Sequence, residues 1–144
     1  MTIEYVWRGD FTNAEVESLH AAGFDRPVNE ANDWRTPINR YSLGWVCARE
    51  DGRLVGFVNV AWDGGVHAFI LDTVAAAQHR PPDASVASLA PHRRGIGTRL
   101  VAVATENARA AGCEWLHVDF ESHLRSFYVD ACGFRPTDAG LIQL

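Results

Sequence analysis

The chain has few cysteines and no long run of apolar or basic residues. Its three cysteines are widely spaced and form no CxxC pair, which disfavours both a disulfide framework and a zinc site. Apolar stretches such as residues 66–77 are interrupted by His67 and Asp72 and fall short of the roughly 20 residues of a membrane span. With 13 basic and 18 acidic residues the net charge is −5, which disfavours nucleic acid or an acidic membrane as partner. These absences favour small-molecule chemistry without a metal.

Length and composition are those of one ordinary globular domain spanning residues 1–144. A chain of this length buries roughly 68–70% of its unfolded surface, and 47% of its residues are apolar. It can therefore build a core without disulfide or metal support. Residues 1–5 have neither a basic start nor an apolar signal core, so we expect a cytoplasmic protein.

Turn residues and apolar periodicity predict a β-rich N-terminal half. A strand over residues 3–7 precedes a helix that a Thr12–Glu15 capping box begins and Gly23 ends. Residues 25–43 are predicted to be a loop with one helical turn around Trp34. Three antiparallel strands are expected at residues 45–49, 54–62 and 66–74, with an Asp-Gly hairpin turn at residues 51–52.

The pattern changes to alternating helix and strand after residue 94. Apolar residues between 98 and 111 are spaced for one helical face, and the alternation over 114–120 predicts a strand. A second short helix over 124–131 is expected to end at Gly133, and residues 141–144 to close the sheet. The chain is therefore predicted to be mixed α/β around one central sheet.

The segment with the clearest chemical content lies at the start of the helix after residue 94. It consists of Arg93, Arg94, Gly95, Ile96, Gly97 and Thr98. The two glycines remove side chains that would block a close approach, so backbone N–H groups and the helix dipole can face a phosphate. The P-loop spacing is absent, and the dinucleotide pattern GxGxxG fails because Leu100 stands at its last position. A pyrophosphate loop flanked by two arginines is predicted.

The parts that follow this loop have a specific order: a helix, a strand and a helix with Phe127-Tyr128 and Gly133-Phe134. Over residues 45–144 this order resembles that of GNAT-superfamily acyl-CoA N-acyltransferases, with their loop Q/R-x-x-G-x-G/A at residues 92–97. The resemblance implies a mostly antiparallel central sheet flanked by helices. It also implies acetyl-CoA as co-substrate, with its pyrophosphate on the amides of residues 93–98 and its pantetheine arm on backbone groups at Val74 and Ala75.

The resemblance further implies transfer of an acetyl group to a primary amine of a small molecule or peptide, and a homodimer as a candidate assembly. Such transfer requires an acid for the leaving thiolate, a role that the resemblance assigns to Tyr128. For the base, Asp72, Asp119 and Glu121 lie at or near the ends of the two strands expected to diverge beside the cofactor. Asp72 and Glu121 are our candidates, with a water relay as the alternative.

Three features depart from the family pattern. His92 stands where the family has Gln or Arg, and four residues instead of three separate Tyr128 from Gly133. Phe127 and Tyr128 therefore compete for the catalytic position, although only Tyr128 has a hydroxyl. About twenty residues separate the central strand from the loop, and we interpret residues 81–93 as an insertion.

The start of the insertion, Pro81-Pro82-Asp83, predicts an exposed excursion from the sheet. In the alternative, residues 84–90 replace the end of the central strand. Two other function classes also stay open. They are a non-catalytic acyl-CoA-binding module and a structural or interaction protein of the same shape.

Overall fold

The computed structural model describes residues 2–76 and 95–144, which form a five-stranded sheet flanked by helices. The strands are β1 (Ile3–Trp7), β2 (Ser42–Glu50), β3 (Arg53–Trp62), β4 (His67–Ala75) and β5 (Trp115–His117). The helices are α1 (Asn13–Gly23), α2 (Arg35–Tyr41) and α3 (Ile96–Ala110), followed by a 3-10 turn at Ser122–Leu124 and a π-helical turn at Ser126–Ala131. The predicted mixed fold is confirmed, whereas the predicted insertion at 81–93 lies outside the described residues.

Local sequence signals explain where the first elements begin and turn. The Thr12 hydroxyl accepts a hydrogen bond from the Glu15 N–H at 3.1 Å, and the Glu15 carboxylate accepts one from the Thr12 N–H at 3.0 Å. This is the predicted capping box at the start of α1. Asp51 and Gly52 have φ values of 50° and 79°, the positive values that a tight hairpin turn requires.

The sheet is an antiparallel meander with one parallel strand added. Its order is β1-β2-β3-β4-β5, and only β5 runs parallel to its neighbour β4. A parallel neighbour needs a crossover connection, which α3 supplies. The β4–β5 pairing extends from His67 opposite Trp115 to Phe69 opposite His117. Past Phe69, β4 continues to Ala75 with no strand on that side among the described residues.

The helices cover the sheet from opposite sides. Gly56 of β3 faces α3, since a Cβ atom there would lie 2.8 Å from the Ile96 Cγ2 atom. The next residue, Phe57, packs edge-on against Phe11 with ring centroids 5.3 Å apart. Successive side chains of a strand point to opposite faces, so α3 lies on one face and the segment leading into α1 on the other.

Of two strands predicted near the C-terminus, one is absent and the other is shorter than predicted. Residues 141–144 form no strand, and the Leu141 and Ile142 side chains are 83% and 87% exposed. The strand predicted over 114–120 is shorter than expected, because β4 diverges from it after three residue pairs. Because β5 has only three residues, it offers few backbone hydrogen bonds to a further strand.

Candidate active site

A bulge in β4 begins three residues past Phe69, the last residue of β4 that pairs with β5. Phe57 pairs with Val74 and Asn59 with Leu71, so two residues of β4, Asp72 and Thr73, lie opposite one residue of β3. Asp72 has a φ of 58°, in the left-handed region that non-glycine residues rarely adopt. Bulges of this kind redirect side chains and occur often next to active sites.

The Asp72 side chain points towards α1. Its Oδ1 atom lies 3.0 Å from the Nε2 atom of His20, and the side chain is 30% exposed. The packing of α1 on β4 is close here, because a Cβ atom on Gly23 would clash with the Val74 Cγ2 atom. Asp72 is therefore held in the bulge while part of its side chain stays accessible.

Thr73, the second bulge residue, faces the C-terminal helical turns. It is 3% exposed and its neighbour there is Tyr128, which is also 3% exposed. Burial raises the pKa of Tyr128 to about 12, an effect that the Thr73 hydroxyl partly opposes. Among the described residues, Thr73 Oγ1 has no partner of good hydrogen-bond geometry. Tyr128 therefore stays protonated at neutral pH.

The π-helical turn accommodates the extra residue between Tyr128 and Gly133. The Cys132 N–H donates to the Phe127 carbonyl, five residues earlier, at 2.9 Å, where an α-helix would bond four residues back. The Tyr128 ring stacks on Phe120 at 5.0 Å and meets Phe134 edge-on at 5.9 Å. The wider turn thus places Tyr128 in an aromatic setting against β4.

The N-terminus of α3 has features of an anion site. Its N-cap is Gly95 with a φ of 67°, without a side-chain hydrogen bond, and its first turn contains no acidic residue. The first N–H groups of a helix have no partner within the helix, and the dipole there favours negative charge. These residues fit the pyrophosphate of a CoA-type co-substrate.

This helix end lies beside the C-terminal end of β4. Ala75 pairs with Gly56, and Gly56 is the residue whose Cβ would meet Ile96 of α3. The structure therefore brings the predicted pantetheine residues Val74 and Ala75 near the predicted loop residues Gly95, Ile96, Gly97 and Thr98. The other two loop residues, Arg93 and Arg94, lie outside the described residues.

A groove of about 280 Å³ continues from this loop along α3. Thr98 and Arg109 lie at its two ends along the helix, and Cys132 contributes to the opposite wall. Burial raises the pKa of the Cys132 thiol to about 11. The thiol is therefore a neutral part of the wall and a poor nucleophile.

The remaining base candidates lie apart from this arrangement. Glu121 has an 83% exposed side chain, and its described partner is His123 at 3.5 Å. Asp119 is exposed, and its negative charge adds a small upward contribution to the pKa of Tyr128. Asp72 is the candidate carboxylate that the structure places in the bulge.

Thr73 and His20 are not among the site residues predicted from the sequence. No local sequence pattern marks Thr73, because only the bulge in β4 places it beside Tyr128. His20 does have one: it follows Glu17 by three residues on α1, which places both side chains on one helical face. Two polar residues on the face that packs against the protein could have marked a buried network.

Within residues 2–76 and 95–144, no three His, Cys, Asp or Glu side chains are grouped so as to hold a metal ion. In the same part of the chain, no helix is long and apolar enough to cross a membrane.

The model of the acetyltransferase (GNAT) family matches residues 9–134 of the chain. The protein therefore belongs to this family of acetyltransferases. A search of curated protein sequences found no match.

Solved structures agree with this fold. A GNAT-family acetyltransferase from Streptococcus pneumoniae superposes with a TM-score of 0.72 at 18% identity, covering 99% of this chain and 98% of the other. Glucosamine-6-phosphate N-acetyltransferase from Arabidopsis thaliana gives 0.71 at 12% identity, covering 100% and 99%. An aminoglycoside acetyltransferase from an uncultured soil metagenomic sample gives 0.69 at 20% identity, also covering 100% and 99%. At these identities the likeness describes the fold alone.

Proposed function

We propose that the protein transfers an acetyl group from acetyl-CoA to a primary amine of a small molecule or peptide. One observation carries this proposal: β4 separates from β5 after Phe69, and the uncapped end of α3 lies beside the far end of β4. Within residues 2–76 and 95–144, no strand pairs with β4 past Phe69 on that side, which leaves its backbone groups available to an extended ligand. Two of the structural neighbours are named for amine-bearing substrates, a glucosamine phosphate and aminoglycosides, which supports an amine acceptor.

The co-substrate binds in three parts under this proposal. Its pyrophosphate accepts hydrogen bonds from the N–H groups at the start of α3, with Arg93 and Arg94 adding positive charge. The pantetheine arm lies along Val74 and Ala75 as an added strand would. The groove along α3 from Thr98 holds the nucleotide part, since it begins at the pyrophosphate loop.

The chemistry is direct attack of the amine on the thioester carbonyl. The amine nitrogen forms a bond to the carbonyl carbon, which makes its N–H strongly acidic, so that a carboxylate can accept the proton. Asp72 is the proposed base, with Glu121 as the alternative. As the carbon–sulfur bond breaks, the thiolate takes a proton from Tyr128, whose pKa of about 12 keeps it protonated until then.

Two measurements test the proposal together. Titration calorimetry measures acetyl-CoA binding, and a thiol reagent follows CoA release with glucosamine 6-phosphate, an aminoglycoside and a short peptide as acceptors. Binding with amine-dependent thiol release is the expected result. Binding without release on any acceptor would favour the non-catalytic acyl-CoA-binding module, and absence of binding would leave only a structural or interaction role.

A further inference from the structure

Four polar side chains form a continuous series of hydrogen bonds from the buried face of α1 to the bulge of β4. Arg26 binds the Glu17 carboxylate with both terminal nitrogens, at 2.7 and 2.9 Å. The Arg26 Nη2 atom also lies 2.9 Å from His20 Nδ1. His20 Nε2 in turn lies 3.0 Å from Asp72 Oδ1. We call Glu17, Arg26, His20 and Asp72 the relay.

The chemistry of arginine determines the protonation state of His20 in this relay. A guanidinium group has hydrogen-bond donors and no acceptor, so His20 Nδ1 must be the acceptor and carries no proton. The ring proton is therefore on Nε2, where it is donated to Asp72 Oδ1. His20 is neutral in this arrangement, and Asp72 receives the hydrogen bond as a carboxylate.

The relay is rigid because its far end is buried. Glu17 is 2% exposed and accepts further hydrogen bonds from the Asn29 N–H at 2.6 Å, Asn32 Nδ2 at 2.8 Å and Trp34 Nε1 at 3.0 Å. These three donors and Arg26 together hold the Glu17 carboxylate in one orientation. Since that carboxylate binds Arg26 through two bonds, the guanidinium is held in turn.

The His20 ring is also fixed by packing. Phe24 stacks on it at 4.3 Å and Trp34 lies 4.7 Å away, and the side chain is 13% exposed. Asp72 at the near end is 30% exposed, and no hydrogen bond from the described residues occupies its Oδ2 atom. One oxygen of Asp72 is thus held by His20 while the other remains available.

We propose that His20 is a positioning residue for Asp72, fixing the carboxylate so that Oδ2 receives the proton of the acceptor amine. This rests on the proposed function. The nitrogen–carbon bond forms as the amine proton passes to Oδ2, and the carbon–sulfur bond breaks as Tyr128 protonates the sulfur. His20 donates its hydrogen bond throughout and transfers no proton, because Arg26 occupies Nδ1.

The competing explanation is that His20 only ties α1 to β4. The protonation state can be tested first, without any activity, by nitrogen-15 NMR of histidine-labelled protein near neutral pH. We expect His20 to be a single neutral tautomer with the proton on Nε2. A proton on Nδ1, or rapid exchange between tautomers, would overturn the relay. This result is independent of whether an acceptor amine has been found.

Kinetic measurements then distinguish a positioning role of His20 from a structural role in which it only ties α1 to β4. His20→Ala removes the donor to Asp72 and should lower kcat about tenfold, the factor expected for loss of about one hydrogen bond, with the KM for acetyl-CoA unchanged. His20→Gln retains an amide donor at the Nε2 position and should recover most of the rate. Leu19→Ala, which loosens the packing of α1 at a buried position outside the relay, is the control and should leave kcat unchanged.

The decisive comparison uses Asp72→Asn as background. If His20 acts through Asp72, adding His20→Ala to Asp72→Asn should cause no further loss of kcat. If the two losses multiply instead, or if Leu19→Ala lowers kcat as much as His20→Ala, the positioning role is wrong. Should the wild-type protein release no CoA with any amine, the proposed function fails while the NMR result on the relay still stands.

Discussion

Tyr128 is the residue on which the proposed proton donation depends. Tyr128→Phe should lower kcat by roughly 10²–10⁴-fold, the usual contribution of a general acid, with little change in acetyl-CoA affinity. Because burial raises the pKa of Tyr128 to about 12, the wild type should also show no loss of rate from its ionisation up to about pH 10. Thiol release measured against pH checks both expectations.

The matched control for this change is Tyr41→Phe, since Tyr41 is 66% exposed on α2. Its rate should equal that of the wild type. Unchanged thiol release by Tyr128→Phe would mean that water protonates the thiolate, and the assignment of Tyr128 would then be wrong.

Glu17 makes stability depend on pH. The hydrogen bonds from Arg26 first, then from Asn32, the Asn29 N–H and Trp34, hold the pKa of Glu17 well below its ordinary value of 4.5. At pH values just below 4.5 the unfolded chain therefore binds more protons at Glu17 than the folded one. The stabilisation is present above this pH and is lost as pH falls further.

Glu17→Ala should accordingly cost about 1–3 kcal/mol at pH 7, because it leaves Arg26 and its other donors without their buried partner. The difference from wild type should shrink as pH falls below 4.5, which urea unfolding at several pH values measures. Glu106→Ala, at a 61% exposed side chain of α3, is the control and should change stability by less than about 0.5 kcal/mol. A Glu17→Ala deficit that stays constant with pH would contradict this account.

At the scale of elements, the start of α3 is the proposed anion site. Gly97 is buried in its first turn, and a branched side chain there should block the approach of the pyrophosphate. Gly97→Val should reduce acetyl-CoA affinity at least tenfold in titration calorimetry. Gly140→Val is the control, since a Cβ on Gly140 meets nothing within 4 Å. Equal acetyl-CoA affinity in both variants would mean that the loop is not part of the binding site.

The bulge in β4 and the π-helical turn both orient side chains of the proposed site. The β4 bulge turns Asp72 towards α1 and Thr73 towards Tyr128, and the π-helical turn places Tyr128 against Thr73. Each irregularity adds one residue to a regular pattern. Such costly local geometry is found most often where function requires it.

At the scale of the whole molecule, the predicted insertion is the part still to be tested. Deleting residues 81–93 joins Arg80 to Arg94 and restores a short connection to the loop. We expect the shortened protein to fold and to bind acetyl-CoA at least as well as the parent, because neither strand β4 nor helix α3 is shortened. Circular dichroism and calorimetry check this. Loss of folding would favour the alternative in which residues 84–90 are part of the sheet.

Much of the fold could be predicted from the sequence, because the patterns that specify its elements involve residues close together in the chain. The capping box at Thr12, the Asp-Gly hairpin turn and the glycines around Ile96 each act through atoms a few residues apart. The order of elements then leaves few ways to form one sheet. The predicted strand at 141–144 was wrong because a strand also requires a long enough edge to join, which β5 does not provide.

The sequence by itself therefore determined the order of strands and helices, the family resemblance and the candidate loop at the start of α3. Only the tertiary structure decided which carboxylate and which aromatic residue flank the divergence of β4 from β5. A bulge opposite β3 sets the position of Asp72, and the hydrogen bond from Arg26 to Nδ1 sets the tautomer of His20. These features arise from contacts between residues far apart in the chain, and no local pattern encodes such contacts.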